Sequence, residues 1–410
     1  MGERAFIASS VRCAVELTFA HWQGTTARDL DGSYRDLLDS VLDAGDRYRF
    51  SLEMAAFMAS LQNAHTMYRD PVGWRAFSGA FGFAAEPVGS EWMITRAWRP
   101  GFRAGQTIDS IGGAPTESAY QDRRRFISAS CERGRRRRLF ERPHLFPRDV
   151  RLRIDGRRVL CRRLPGRWEP PAPPTGGRWL ARRRTAYIRI PSFGEPAHER
   201  RALELVRRFR EASTLVLDVR GNSGGRTPSR LLAALMDRPW RWWAESTPQR
   251  IGIIATNAHL LQLADDHRGT QVRSAPDEVA SLERFRAWER IQLWIPPIAN
   301  LPARRPYRGR VLLLVDGRCS SACEDFLMPF KTTGRGTLVG TTTAGTTGQP
   351  YLLELPRGVQ ALVGTKRAYF PDGRPFEGIG IDVDEAVVAT REELLQDRDP
   401  VLERATALAS

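Results

Sequence analysis

A serine at the point where a buried strand turns into a helix is the feature of this chain best suited to nucleophilic chemistry. The apolar run Arg310 to Val315 ends in Asp316-Gly317-Arg318-Cys319 and passes into Ser320-Ser321-Ala322-Cys323-Glu324, which reads as a helix start. A hydroxyl there is exposed above the carboxyl ends of the strands, and the helix N-terminus offers unpaired N–H groups and a dipole that favours negative charge. The same residues fit a plainer pattern, because Ser321 followed three positions on by Glu324 is a capping box. A second turn favours the chemical alternative. The run Thr214 to Val219 leads into Arg220-Gly221-Asn222-Ser223-Gly224-Gly225, whose glycines let backbone N–H groups face a cleft with no side chain in the way. With neither a GK[ST] ending nor GxGxxG spacing, this turn does not fit a phosphate loop.

The elements that must position these turns follow from periodicity. From Val11 to about Arg69 apolar residues recur at helical spacing, as in Leu37, Leu38, Val41, Leu42 and Met54, Phe57, Met58, Leu61, which predicts a helical domain over residues 1–70. After Pro71 the texture changes to short strands and glycine turns, notably Glu91 to Trp98 and 100–113, followed by a basic helix-like stretch 119–140 and strands near Val150 to Ile154 and Val159 to Leu164. The stretch 165–177, dense in Pro and Gly, reads as a linker between a unit 71–164 and a unit 178–410. In the last unit apolar strands (Ala186 to Ile190, Thr214 to Val219, Arg310 to Val315, Thr337 to Gly340) alternate with helices at 197–210, 227–236 and 321–331. Such alternation predicts an α/β domain with a largely parallel sheet buried on both faces.

Composition narrows the partners. The chain has 410 residues and a formal charge of +16, yet 61 of its 63 basic residues are arginine, Lys331 and Lys366 being the exceptions. So uniform a skew raises the charge without building a binding face, and no aromatic-interleaved basic motif accompanies Arg123 to Arg125, Arg135 to Arg138 or Arg182 to Arg184, so nucleic acid is disfavoured and acidic or phosphorylated partners stay open. The five cysteines lack CxxC pairs or nearby histidines, which argues against a disulfide scaffold and against structural zinc. With no apolar stretch of membrane-spanning length and no signal-peptide pattern after Met1, a cytoplasmic protein without membrane contact is expected.

The runs Leu217 to Gly225, Ser321-Ala322-Cys323-Glu324 and Phe376-Glu377-Gly378-Ile379-Gly380-Ile381-Asp382-Val383-Asp384 occur in the order in which the carboxy-terminal processing (tail-specific) proteases and the catalytic core of tricorn protease carry similar motifs. The chain resembles that family over nearly its whole length. The resemblance implies an α/β fold with a ClpP/crotonase-like core, an N-terminal helical domain and a PDZ-like β-rich module signalled by 100–113. Such a module would add a peptide strand to its sheet edge and deliver a chain terminus to the cleft.

One departure decides the mechanism that the resemblance implies. The processing proteases use a lysine about 25 residues after the serine, and that place here holds Thr346; Lys331 and Lys366 fall elsewhere. Tricorn-like members use a histidine from the N-terminal segment and a glutamate before Gly-Ile-Gly. His65, in Asn63-Ala64-His65-Thr66, matches the histidine with Asn63-Ala64 in place of Asp-Gly, and Glu377 matches the acid. By resemblance Ser321 is the nucleophile, His65 the base and Glu377 its orienter, with the N–H groups of Ala322 and Gly224 as oxyanion donors. Tricorn-like sites also carry a polar residue before the histidine, a part that Ala64 cannot play.

The resulting expectation is a serine peptidase acting on polypeptide amide bonds through an acyl-enzyme, without cofactor or metal. Acidic peptides are favoured by the basic segment 119–140, and association into a homo-oligomer is open. Two other functions share the fold: a peptide-tailoring or small-substrate hydrolase or cyclase on the same triad, and a non-catalytic peptide or hydrophobic-ligand binder.

Overall fold

A computed structural model describes residues 2–22, 30–75, 79–164, 173–180, 184–249 and 291–409. Its centre is a six-stranded sheet in the order Glu385–Ala386, Thr337–Gly340, Arg310–Val315, Thr214–Asp218, Thr185–Arg189, Gly176–Trp179. All neighbours are parallel except the last pair. Because side chains alternate across a strand, Leu215, Leu217, Val311, Leu313 and Leu338 pack on one face, beneath the helices Pro196–Arg208, Ser229–Leu235 and Ala322–Thr333. Val216, Leu312, Leu314 and Val339 fill the other face with Val401 and Ala405 of the helix Pro400–Leu408. Burial on both faces is why these strands are apolar throughout instead of alternating.

The proposed linker is part sheet: Gly176 and Gly177 begin the edge strand, and a Cβ on Gly177 would lie 2.9 Å from the Phe209 ring and the Tyr187 carbonyl oxygen, so glycine here serves close packing. Residues 165–172 fall outside the described residues.

The helices Gly2–Thr18, Leu30–Leu42 and Arg47–Ser60 do not close a core by themselves. Val11, Val15, Phe50, Met54 and Met58 pack with Leu355, Val359, Ala361 and Val363, from the hairpin Pro350–Leu355 and Val359–Gly364 some three hundred residues later. The short strand Met67–Arg69 pairs antiparallel with that hairpin. The loop 61–66, which contains His65, is thereby carried from the helical segment to the main sheet. Between these parts, the hairpin Phe83–Val88 and Glu91–Ala97, a four-stranded sheet of Ile108–Ile111, Ala114–Pro115, Asp149–Ile154 and Arg157–Arg162, and the helix Thr116–Arg123 surround a separate aromatic core around Phe81, Phe83, Tyr120 and Phe140. The stretch read as one basic helix, 119–140, is broken into helical turns at Thr116–Arg123, Arg124–Phe126, Glu132–Arg137 and Leu139–Glu141, the extended residue Ile127 parting the first two from the last two. No helix among the described residues is long and apolar enough to cross a membrane.

Candidate active site

Two strand-to-helix turns meet at the carboxyl end of the main sheet. Ser321 caps the helix Ala322–Thr333 with φ 55° and ψ −129°. A positive φ costs a residue with a Cβ roughly 1–3 kcal/mol, and the turn around it is over-determined enough to hold it. Ser321 N–H donates to Thr346 O (2.8 Å) and to Glu324 Oε2 (3.2 Å), the latter being the return half of the capping box. Ser320 N–H donates to Asn222 O (3.2 Å), which ties the serine turn to the glycine turn. Asp316 Oδ1 bridges them again, accepting from Gly221 N–H (2.9 Å) and Arg318 N–H (3.0 Å). Capping and partial exposure of the serine therefore coexist in one structure.

Gly224 has φ +92°, and a Cβ there would lie 2.7 Å from Ala322 N and Ser320 O, so only glycine allows this approach. Its N–H donates to Asn222 Oδ1 at 2.9 Å. Of the two expected oxyanion donors, the Gly224 N–H is thus engaged by a side chain. Ala322 N–H, at the first helical position, has no acceptor among the described residues.

His65 and Glu377 both reach this place, by different routes. The helix Arg47–Ser60 ends at Leu61, Gln62 takes a positive φ, and Asn63 closes the loop, its Oδ1 accepting from His65 N–H (2.9 Å) and Thr66 Oγ1 (3.0 Å). The other end of that amide donates to Glu377 Oε1 at 3.0 Å, a bond that the expected aspartate could not make. Glu377 also accepts from Ser130 Oγ (2.9 Å) and from Thr347 N–H (3.1 Å).

No direct hydrogen bond joins His65 to Ser321 or to Glu377 among the described residues. The link is Thr346. Its Oγ1 lies 3.0 Å from His65 Nδ1 and 3.1 Å from Ser130 Oγ, it hydrogen-bonds Glu377, and its carbonyl accepts from Ser321 N–H. The residue in the lysine's place is therefore beside the serine, as the spacing suggests, but supplies a hydroxyl. Both lysines are committed elsewhere, Lys331 to Asp384 and Lys366 to Glu245 (3.2 Å) with its Nζ over Trp243. The polar neighbour that Ala64 cannot be is supplied from a distance by Ser130, whose Oγ accepts from Ala64 N–H at 3.0 Å. Ser130 carried no signal in the sequence, because it lies in a segment notable only for its arginines.

Burial sets the protonation states. His65 is pushed down to about 4 by desolvation, with the positive charges of Arg138 and Lys366 adding to the effect, so its imidazole is neutral at pH 7 and able to accept a proton. Desolvation pushes Glu377 up to about 7 against its donors Asn63, Ser130, Thr346 and Thr347. Glu324 is pushed up to about 8 by desolvation, with the nearby Glu377 charge contributing, although Thr343 Oγ1 and the N–H groups of Gly345, Thr346 and Ser321 all favour its anion.

The two turns thus bring together a strained serine at a helix N-terminus, an open N–H beside it, a neutral imidazole and a buried carboxyl. Residues 184–387 match the family model of peptidase family S41, so the chain carries a peptidase S41 domain; it is a serine peptidase. Among solved structures, mature CPAF complexed with lactacystin is similar at TM-score 0.72 and 15% identity, covering 100% of this chain and 97% of that one. The photosystem II D1 C-terminal processing protease is similar at TM-score 0.53 and 15% identity, covering 96% and 94%. At such identities the likeness is one of fold. No curated protein matches the chain.

Proposed function

We propose that the protein hydrolyses polypeptide amide bonds through an acyl-enzyme on Ser321, with His65 as base and Glu377 as the acid behind it. The observation that carries this reading is the strained backbone of Ser321 at the start of the helix Ala322–Thr333, the geometry of a nucleophile elbow. With Nδ1–H directed at Thr346 Oγ1, the imidazole keeps the Nε2 lone pair for the serine proton. Oγ attacks the scissile carbonyl carbon as its proton passes to Nε2, and that proton then goes to the leaving amine; water repeats the sequence to free the acid. The oxyanion meets the Ala322 N–H, and Gly224 completes the hole when substrate draws its N–H from Asn222. Nε2 and Oγ come into hydrogen-bond reach only in the substrate complex. Imidazolium charge is stabilised by Glu377 through the Thr346 hydroxyl, in place of direct contact.

The organisation that supports this chemistry is a helical segment delivering His65, a PDZ-like module between about 71 and 164 that presents the polypeptide, and a ClpP/crotonase-like core from 178 onward. A fluorophosphonate probe should add one equivalent to the protein, on Ser321, and label nothing in Ser321→Ala. Labelling that survives Ser321→Ala would move the nucleophile elsewhere.

A further inference from the structure

Of the arginines in 123–125 and 135–138, all but Arg123 and Arg138 pair with carboxylates within the fold. Arg124 and Arg135 pair with Glu132, Arg125 with Glu53, Arg136 with Glu117 and Arg137 with Glu86. Arg138 makes no ion pair among the described residues, although the charge of Glu141, on the wall of the same cavity, acts on it; its Nη1 donates only to the carbonyls of Ser128 (2.6 Å) and Ala64 (3.5 Å). It lines a cavity of about 180 Å³ whose wall also includes Ser130, Thr346, Ser223 and Ser320. That cavity lies directly against the nucleophile's turn and the hydroxyl that holds His65. The other two guanidinium groups on its wall face carboxylates, Arg137 that of Glu86 at 2.6 Å and Arg318 that of Glu141 at 3.5 Å. A guanidinium left with spare donors in a partly enclosed site is a fork built for a carboxylate.

Resting on the peptidase reading, we infer that this cavity is a subsite for a carboxylate of the substrate, held by Arg138 next to the bond to be cleaved. The carboxylate comes from an acidic side chain or from the end of the polypeptide. Its arrival does more than anchor the substrate. The Arg138 charge is one of the two that disfavour protonated His65, and a bound anion offsets it, so the base takes the serine proton more readily. The acidic group therefore raises kcat as well as lowering KM.

The test uses peptide pairs that differ by Glu or Gln at each position flanking the cleaved bond, and each peptide as free acid and as C-terminal amide. One charge-assisted hydrogen-bonded contact corresponds to a preference of about tenfold or more in kcat/KM. If the side chain is the source, Glu exceeds Gln by that factor at one position; if the chain end is the source, free acid exceeds amide. Arg138→Gln, which keeps a donor for the Ser128 carbonyl, should bring the preference close to one, and Arg138→Lys should keep part of it. Each ratio is read within one variant, so an overall loss of rate does not obscure it. Peptides turned over by the unaltered protein with neither preference above twofold would overturn the subsite, as would a preference that survives Arg138→Gln. Absence of both turnover and Ser321 labelling would instead remove the peptidase reading and this inference with it.

Discussion

Ser321 and the groups that shape its turn lie within one short stretch of chain, Asp316 to Glu324, tied to the glycine turn 220–225 by backbone hydrogen bonds. His65 is held by Asn63, Thr346 and, through them, Ser130 and Glu377, which come from four stretches separated by up to 314 residues. The nucleophile is thus positioned by local backbone geometry and the base by long-range packing. A change at the turn should damage chemistry and fold together, whereas a change in the cluster should alter proton movement in a protein that still folds.

Gly224→Ala tests the first half of that contrast most severely. The new Cβ would sit 2.7 Å from backbone atoms of Ser320 and Ala322 at a φ of +92°, so kcat should fall about 10² to 10³-fold and the melting temperature should drop with it. Near-normal turnover of any cleaved peptide would detach this glycine from the site. Thr346→Val probes the second half. Losing the hydroxyl beside Nδ1 should lower kcat by about 10²-fold with little change in KM or melting temperature, and Thr346→Ser should restore most of it. Normal kcat in the valine variant would show that the imidazole is oriented by another group.

The smallest effect expected is in the pH profile. His65 stays neutral down to about pH 4, so a limb near neutrality belongs to the buried carboxyls, Glu377 raised to about 7 and Glu324 raised to about 8 beneath the serine turn. Activity should rise severalfold with pH through about 7 as Glu377 ionises, and Glu377→Gln should remove that part of the limb. The same shift has a stability counterpart. Between the ordinary carboxylate value of 4.5 and about 7 the folded protein keeps a proton that the unfolded chain releases, so this group's contribution to stability falls as pH rises. His65 acts in the opposite sense from about 4 to 6.5, since there the unfolded chain holds the proton and stability rises with pH.

The local half was legible in the sequence because strands and turns leave local marks. The apolar runs that became Thr214–Asp218 and Arg310–Val315 are buried on both faces, and the glycines and serines after them announce the two turns. The distant half left fewer marks. Ser130 is a lone serine among arginines, and Thr346 stood out only as the residue where a lysine would be, not as the hydroxyl between His65 and Glu377. The hairpin 350–364, which completes the core of the helical segment, is silent in the sequence for the same reason: its partners lie about three hundred residues earlier, and pairing at that range leaves no periodicity to read.

The most direct test of the base and its acid is the turnover of Glu377→Gln, measured with thermal melts beside Lys331→Ala and Lys366→Ala. A carboxylate that stabilises the imidazolium through the Thr346 hydroxyl predicts a folded glutamine variant with kcat lowered by about 10²-fold, as in Thr346→Val, and lysine variants that retain most of their activity. A well-folded Glu377→Gln with unchanged kcat, next to an inactive lysine variant, would contradict a histidine base and assign the proton to the lysine.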